Sequence, residues 1–127
     1  SLYRFDLKTG EARMVGAPGG CGDIMDLAWH HGKMYGAAWD SLYRINLHTG
    51  QAEKITTFQG LECVMGLAID GDGNFYVTEI CGEDQPLWRV DPVTGAKTAV
   101  ADVSLNYPHG LEFIPTDDDD KDADDDE

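Results

Sequence analysis

Basic side chains are scarce: nine Lys or Arg stand against 24 Asp or Glu, and no stretch gathers them. Neutralising a phosphate backbone needs clustered cations, so nucleic acid is not an expected partner. Anionic membrane surfaces are disfavoured on the same ground. No apolar run approaches the ~20 residues of a bilayer-spanning helix, so membrane insertion is not expected. Nothing keeps an i, i+3, i+4, i+7 apolar pattern long enough for a helix. Catalytic signatures are missing as well. There is no Gly-x-Ser-x-Gly elbow, no phosphate-cradling glycine loop and no HExxH. The three cysteines, Cys21, Cys63 and Cys81, come without CxxC or paired-histidine spacing, so zinc is not expected. An odd count leaves at least one thiol free.

The acid is unevenly spread. Residues 117–127 hold nine acidic groups and one lysine, contributing −8 of the net −15 and leaving −7 for residues 1–116. That tail is a self-repelling, low-complexity run of the kind that normally stays disordered. Such a charge balance favours cations and basic surfaces as partners. Hydrophobic residues at 42% indicate a globular body, and 15 glycines suit many tight turns. The chain opens directly on strand-like Leu2-Tyr3-Arg4-Phe5, as a piece cut or processed from a longer protein would.

The body repeats. Leu2-Tyr3-Arg4-Phe5-Asp6-Leu7-Lys8-Thr9-Gly10 matches Leu42-Tyr43-Arg44-Ile45-Asn46-Leu47-His48-Thr49-Gly50 and Leu87-Trp88-Arg89-Val90-Asp91-Pro92-Val93-Thr94-Gly95. A second set, Met25-Asp26-Leu27-Ala28-Trp29, matches Met65-Gly66-Leu67-Ala68-Ile69 and His109-Gly110-Leu111-Glu112-Phe113. Period-two alternation over Leu42-Tyr43-Arg44-Ile45-Asn46-Leu47 predicts a half-buried strand, and Met65-Gly66-Leu67-Ala68-Ile69 reads as an apolar strand. The Thr-Gly after each predicts a turn, with the upstream Asp or Asn bonding the turn backbone. Units over 1–40, 41–85 and 86–116, followed by the acidic 117–127, describe the chain. About eleven short strands at this period predict an all-β fold of four-stranded antiparallel blades. About three such blades would make a partial or half β-propeller. Cys21 and Cys63, at near-equivalent repeat positions, could approach each other on adjacent blades; buried free thiols remain the first expectation.

The run Met65-Gly66-Leu67-Ala68-Ile69-Asp70-Gly71-Asp72-Gly73-Asn74-Phe75-Tyr76-Val77-Thr78 resembles the repeat of NHL-type propellers. It is similar as well to propellers of the gluconolactonase family and of streptogramin lyase. The resemblance implies that the Leu-Ala strands are innermost, with Asp23, Met25, Cys63, Met65, Pro108 and His109 around one channel mouth. In the lactonase-like family a divalent metal sits there. His109 matches the position of that family's Asn but differs in type, and the other two repeats do not supply the expected polar ligands.

Individual residues give further expectations. Asp70, Asp72 and Asn74 place oxygen ligands at alternate positions, as a Ca2+ loop begins. Phe75 and Cys81 stand where such a loop needs Gly and Glu, so a plain turn is the first reading and Ca2+ or another divalent cation the second. No cofactor is firmly expected. His30 and His31, adjacent on a strand, would point to opposite faces. Trp39 is the aromatic best placed for stacking a sugar or peptide. Glu79 opens the longest insertion, through Cys81 and Gln85, where binding sites tend to sit. The ligand-contact candidates are therefore Asp23, Trp39, Glu79 and His109.

Three functions follow as expectations. The first is a non-enzymatic recognition module for a protein, small molecule or glycan, part of a longer or oligomeric propeller. The second is a portion of a metal-dependent lactonase- or lyase-like propeller enzyme. The third is a homodimer that completes a propeller. An extracellular or cell-surface bacterial setting is expected from acidity and repeat style.

Overall fold

The computed structural model describes residues 1–17, 19, 24–81, 85–100 and 110–115. Asp23, His109, Cys21 and the acidic run after Thr116 lie outside the described residues. All regular structure among the described residues is β, in ten strands. These are β1 (Leu2–Phe5), β2 (Ala12–Gly16), β3 (Asp26–His30), β4 (Lys33–Ala38), β5 (Ser41–Ile45), β6 (Ala52–Thr57), β7 (Val64–Ile69), β8 (Phe75–Glu79), β9 (Trp88–Val90) and β10 (Lys97–Ala99). They form a two-stranded sheet, β1-β2, and two four-stranded sheets, β3-β4-β5-β6 and β7-β8-β9-β10, with every pairing antiparallel.

The recurring Asp/Asn and Thr-Gly build the same turn three times. Asp6 Oδ1 accepts from the Lys8 and Thr9 amides at 2.8 and 3.3 Å, and Thr9 Oγ1 accepts from Glu11 N at 3.2 Å. Asn46 and Thr49 repeat these bonds at 2.8, 3.1 and 3.2 Å, and Asp91 and Thr94 at 2.7, 3.2 and 3.2 Å. Gly10, Gly50 and Gly95 close the turns at φ of 75°, 76° and 77°, a conformation that costs glycine nothing. The side-chain oxygens supply the acceptors that the reversing backbone would otherwise leave unmet.

Each four-stranded sheet spans the second half of one sequence unit and the first half of the next, 26–57 and 64–99. A covalent period fixes the length of the repeat but not where pairing starts, so the sheets run half a unit out of phase with units begun at Leu2 or Leu42. The leftover first half is the β1-β2 hairpin.

The core lies between the two four-stranded sheets. Leu42, Val64, Leu67 and Val77 are fully buried, joined by Phe58, Leu61, Phe75 and Val90. Tyr35 meets Phe75 edge to face at 5.0 Å. Burying each large aliphatic side chain contributes roughly 1.5–3 kcal/mol, so this interface carries most of the stability. Gly66 on β7 sits where nothing larger fits. An added Cβ would overlap Thr78 Oγ1 and stand 3.1 Å from the Gly110 backbone and from Leu111 Cβ. Gly66→Ala is therefore expected to lower the unfolding free energy by about 1–3 kcal/mol in urea titration. An unchanged unfolding free energy would contradict the close packing of Gly66 against Thr78, Gly110 and Leu111.

Candidate functional site

Strands β3 and β7 and the 110–115 segment meet around a cleft of about 380 Å3. Its walls are Leu27, Ala28 and Trp29 from β3, Leu67, Ala68 and Ile69 from β7, and Leu111, Glu112 and Phe113 from the 110–115 segment. These are the repeat-equivalent positions of the second sequence motif. One carboxylate, that of Asp26, holds the three together. Its Oδ1 accepts from Leu27 N at 2.9 Å, and its Oδ2 accepts from Leu67 N at 2.8 Å and Leu111 N at 3.0 Å. The three donors are the same amide in three successive repeats. Gly110 N also donates to Met65 O at 3.1 Å, tying the 110–115 segment to β7 directly. Asp26 occupies the repeat position that Gly66 and Gly110 fill elsewhere.

A second group gathers where β4 ends and β7 begins. Trp39 forms a bridge with Val64, whose amide donates to Trp39 O at 2.8 Å, and Val64 faces Glu79 in the β7-β8 register. Two of the four ligand-contact candidates, Trp39 and Glu79, thus flank one residue. The other two, Asp23 and His109, are outside the described residues, next to Ile24 and Gly110.

Glu79 is buried at 6% exposure, and its Oε2 accepts from Glu62 N at 2.7 Å and Cys63 N at 3.1 Å. It pins the loop entering β7. Cys63 forms a disulfide with Cys81, with Cα atoms 5.5 Å apart. This overturns the first expectation of buried free thiols at Cys63 and Cys81, and it leaves Cys63 no bond to make with Cys21. The signal was cross-strand register, since Cys63 precedes β7 and Cys81 follows β8, so a hairpin pairing Val64 with Glu79 brings the two together. Trp39 is 46% exposed and has φ of 56°. A bulky side chain in the left-handed region is strained, at roughly 1–3 kcal/mol.

Asp70 and its neighbours form a third group, at the β7-β8 turn. Asp70 Oδ1 accepts from Asp72 N at 3.0 Å and Asn74 N at 2.8 Å. Its Oδ2 accepts from Asn74 Nδ2 at 3.0 Å and Tyr76 Oη at 2.9 Å. Four donors fill the roughly four lone-pair sites of a carboxylate, so a cation at Asp70, Asp72 and Asn74 would have to displace them. Among the described residues no three His, Cys, Asp or Glu side chains are grouped to hold a metal. Partial burial pushes the Asp70 carboxyl up, but the donors from Asn74, Tyr76 and Asp72 outweigh it and hold the group below its usual 3.8. Burial first, then the bond to Asp70, raise the Tyr76 phenol above its usual 10.0.

His30 and His31 depart from the expected opposite faces. His31 has φ of 47°, which breaks the strand alternation, and the two rings lie 4.0 Å apart at 81°.

Two outcomes follow. Asp26→Asn should cost about 1–3 kcal/mol in chemical denaturation, since the amide offers one acceptor where three backbone donors converge; an unchanged midpoint would contradict the bridging role. The depressed Asp70 group contributes stability above its unfolded value near 3.8 that is lost as pH falls through the lower folded value. The raised Tyr76 group contributes stability below its unfolded value near 10.0 that is lost as pH climbs through the higher folded one. A phenolate absorbance titration should therefore show Tyr76 ionising at lower pH in Asp70→Asn than in wild type.

No family model matches the chain, and no curated protein is significantly similar. Among solved structures, the computationally designed Ika4 protein aligns over 81% of this chain and 88% of its own at 12% identity and a TM-score of 0.43.

Proposed function

We propose that the sheets are blades of a β-propeller and that the chain is a non-enzymatic recognition module, reading a protein, small molecule or glycan with Trp39 as its contact residue. One observation carries this reading. A half-exposed tryptophan occupies a left-handed backbone position that folding alone would give to Gly or Asn. A strained, bulky, uncovered side chain is retained for what it touches. Tryptophan offers a rigid stacking face at low entropic cost, as contact residues do.

The carboxylates support the same reading. Asp26 and Asp70 accept through both oxygens from donors that hold two strands and a segment or a turn, and Glu79 Oε2 accepts from two amides of a loop. A general acid or base needs a lone pair or proton facing a substrate. The disulfide is consistent with an extracellular or cell-surface setting.

Trp39→Gly separates recognition from folding. The substitution removes the strain along with partly exposed apolar area, so the unfolding free energy should change by less than about 1 kcal/mol. Binding to hits from a glycan array or peptide library should be lost. Retained binding by Trp39→Gly would overturn the assignment. Turnover of a lactone by the protein with an added divalent cation would replace it with the lactonase- or lyase-like reading.

A further inference from the structure

The Trp39-Asp40 turn between β4 and β5 is clasped by the connector between β6 and β7, residues 58–63. At one end of the connector Phe58 N donates to Asp40 O at 2.7 Å. Just beyond the other end Val64 N donates to Trp39 O at 2.8 Å. These two bonds hold the turn from both sides while Trp39 keeps its φ of 56°.

The two ends of the connector are anchored in unlike ways. The first is packed into the core, where Phe58 and Leu61 are each 2% exposed. Gln59 N donates to Gly95 O at 2.9 Å, and Gly60 O accepts from Lys97 Nζ at 3.1 Å. The second end lacks such packing: Glu62 is exposed and Cys63 half-buried. What holds it is the end of β8. Glu79 Oε2 accepts from the Glu62 and Cys63 amides, Ile80 N donates to Cys63 O at 3.1 Å, and Cys63 is bonded to Cys81. The disulfide is the covalent member of that anchor. Cys81 is an exposed residue past the end of β8, where a thiolate can approach it without unfolding the sheet.

We propose that the Cys63–Cys81 bond is a redox switch for Trp39, operated by a dithiol. One thiolate of the reductant attacks Cys81 Sγ, forming a mixed disulfide and breaking the bond to Cys63, which leaves as a thiolate and takes up a proton. The second thiol of the reductant then displaces Cys81 and closes the reductant's own disulfide. Two electrons and two protons pass to the protein. The loosened end of the connector no longer fixes Val64 N against Trp39 O, and the turn relaxes out of the left-handed conformation. This conformational step stands by itself. Its consequence for binding rests on Trp39 being the contact residue, the reading given above.

Residue-resolved amide exchange of the full chain, oxidised and after dithiothreitol, tests it. A thiol titration should find two more thiols after reduction. The amides of Glu62, Cys63 and Val64 should exchange about tenfold faster or more in the reduced chain, while those of Phe58 and Leu67 keep their rates. Trp39 emission, taken as the wild-type spectrum minus that of Trp39→Phe, should shift on reduction and return on reoxidation. The double variant Cys63→Ser, Cys81→Ser should match the reduced chain with no reductant present. Equal exchange rates and equal emission in the two redox states would overturn the proposal. A uniform acceleration that includes Leu67 would overturn it as well, since the bond would then serve overall stability alone. No ligand enters these measurements, so a Trp39 that recognises nothing leaves the switch intact, and a failed switch leaves recognition to be judged by Trp39→Gly.

Discussion

The arrangement depends on one carboxylate placed where β3, β7 and the 110–115 segment converge. At that point each directs the same backbone amide of its repeat, Leu27 N, Leu67 N and Leu111 N, toward the Asp26 carboxylate. Buried amides without acceptors are costly, and three N–H dipoles pointing inward repel. Asp26 supplies negative charge and both acceptor oxygens. The repeats can do this only once. A second carboxylate at the equivalent position would set like charges in one cleft, and the Gly66 site has no room for a side chain against Thr78 and Gly110. The sequence is therefore most regular where bonding is local and breaks its own pattern where three units share one interaction.

The all-β character and the three turns were legible because their causes are local. An Asp or Asn four residues before Gly, with Thr between, satisfies its own backbone wherever the chain goes. The strands around Leu42 and Leu67 were legible for the same reason, the second as an apolar run because β7 is buried on both faces. The phase of the sheets was not legible. Pairing β4 with β5 across Trp39 and Asp40 is a tertiary choice that any cut through a periodic sequence leaves open. The Cys63–Cys81 link was missed because repeat equivalence drew attention to Cys21, while the decisive relation was the facing of Val64 and Glu79.

The candidate site was legible in part. Trp39 and Glu79 could be named from loop length and composition, and the structure brings both beside Val64. The positive φ of Trp39 has no sequence signature, since tryptophan is among the residues least expected there. The importance of Asp26 needed the third unit in place, because its partners lie 41 and 85 residues away. Asp70 shows the opposite case: an acid-rich turn that suggests a cation directs its oxygens to Asp72, Asn74 and Tyr76, and that bonding is what its lowered pKa reflects.

Residue-resolved amide hydrogen exchange tests the central claim most directly. If the Asp26 carboxylate holds β3, β7 and the 110–115 segment as one unit, the amides of Leu27, Leu67 and Leu111 are protected and open together, with a common free energy higher than that of the β1-β2 amides. Exchange of the Leu111 amide at the rate of an unstructured peptide while Leu67 stays protected would contradict it.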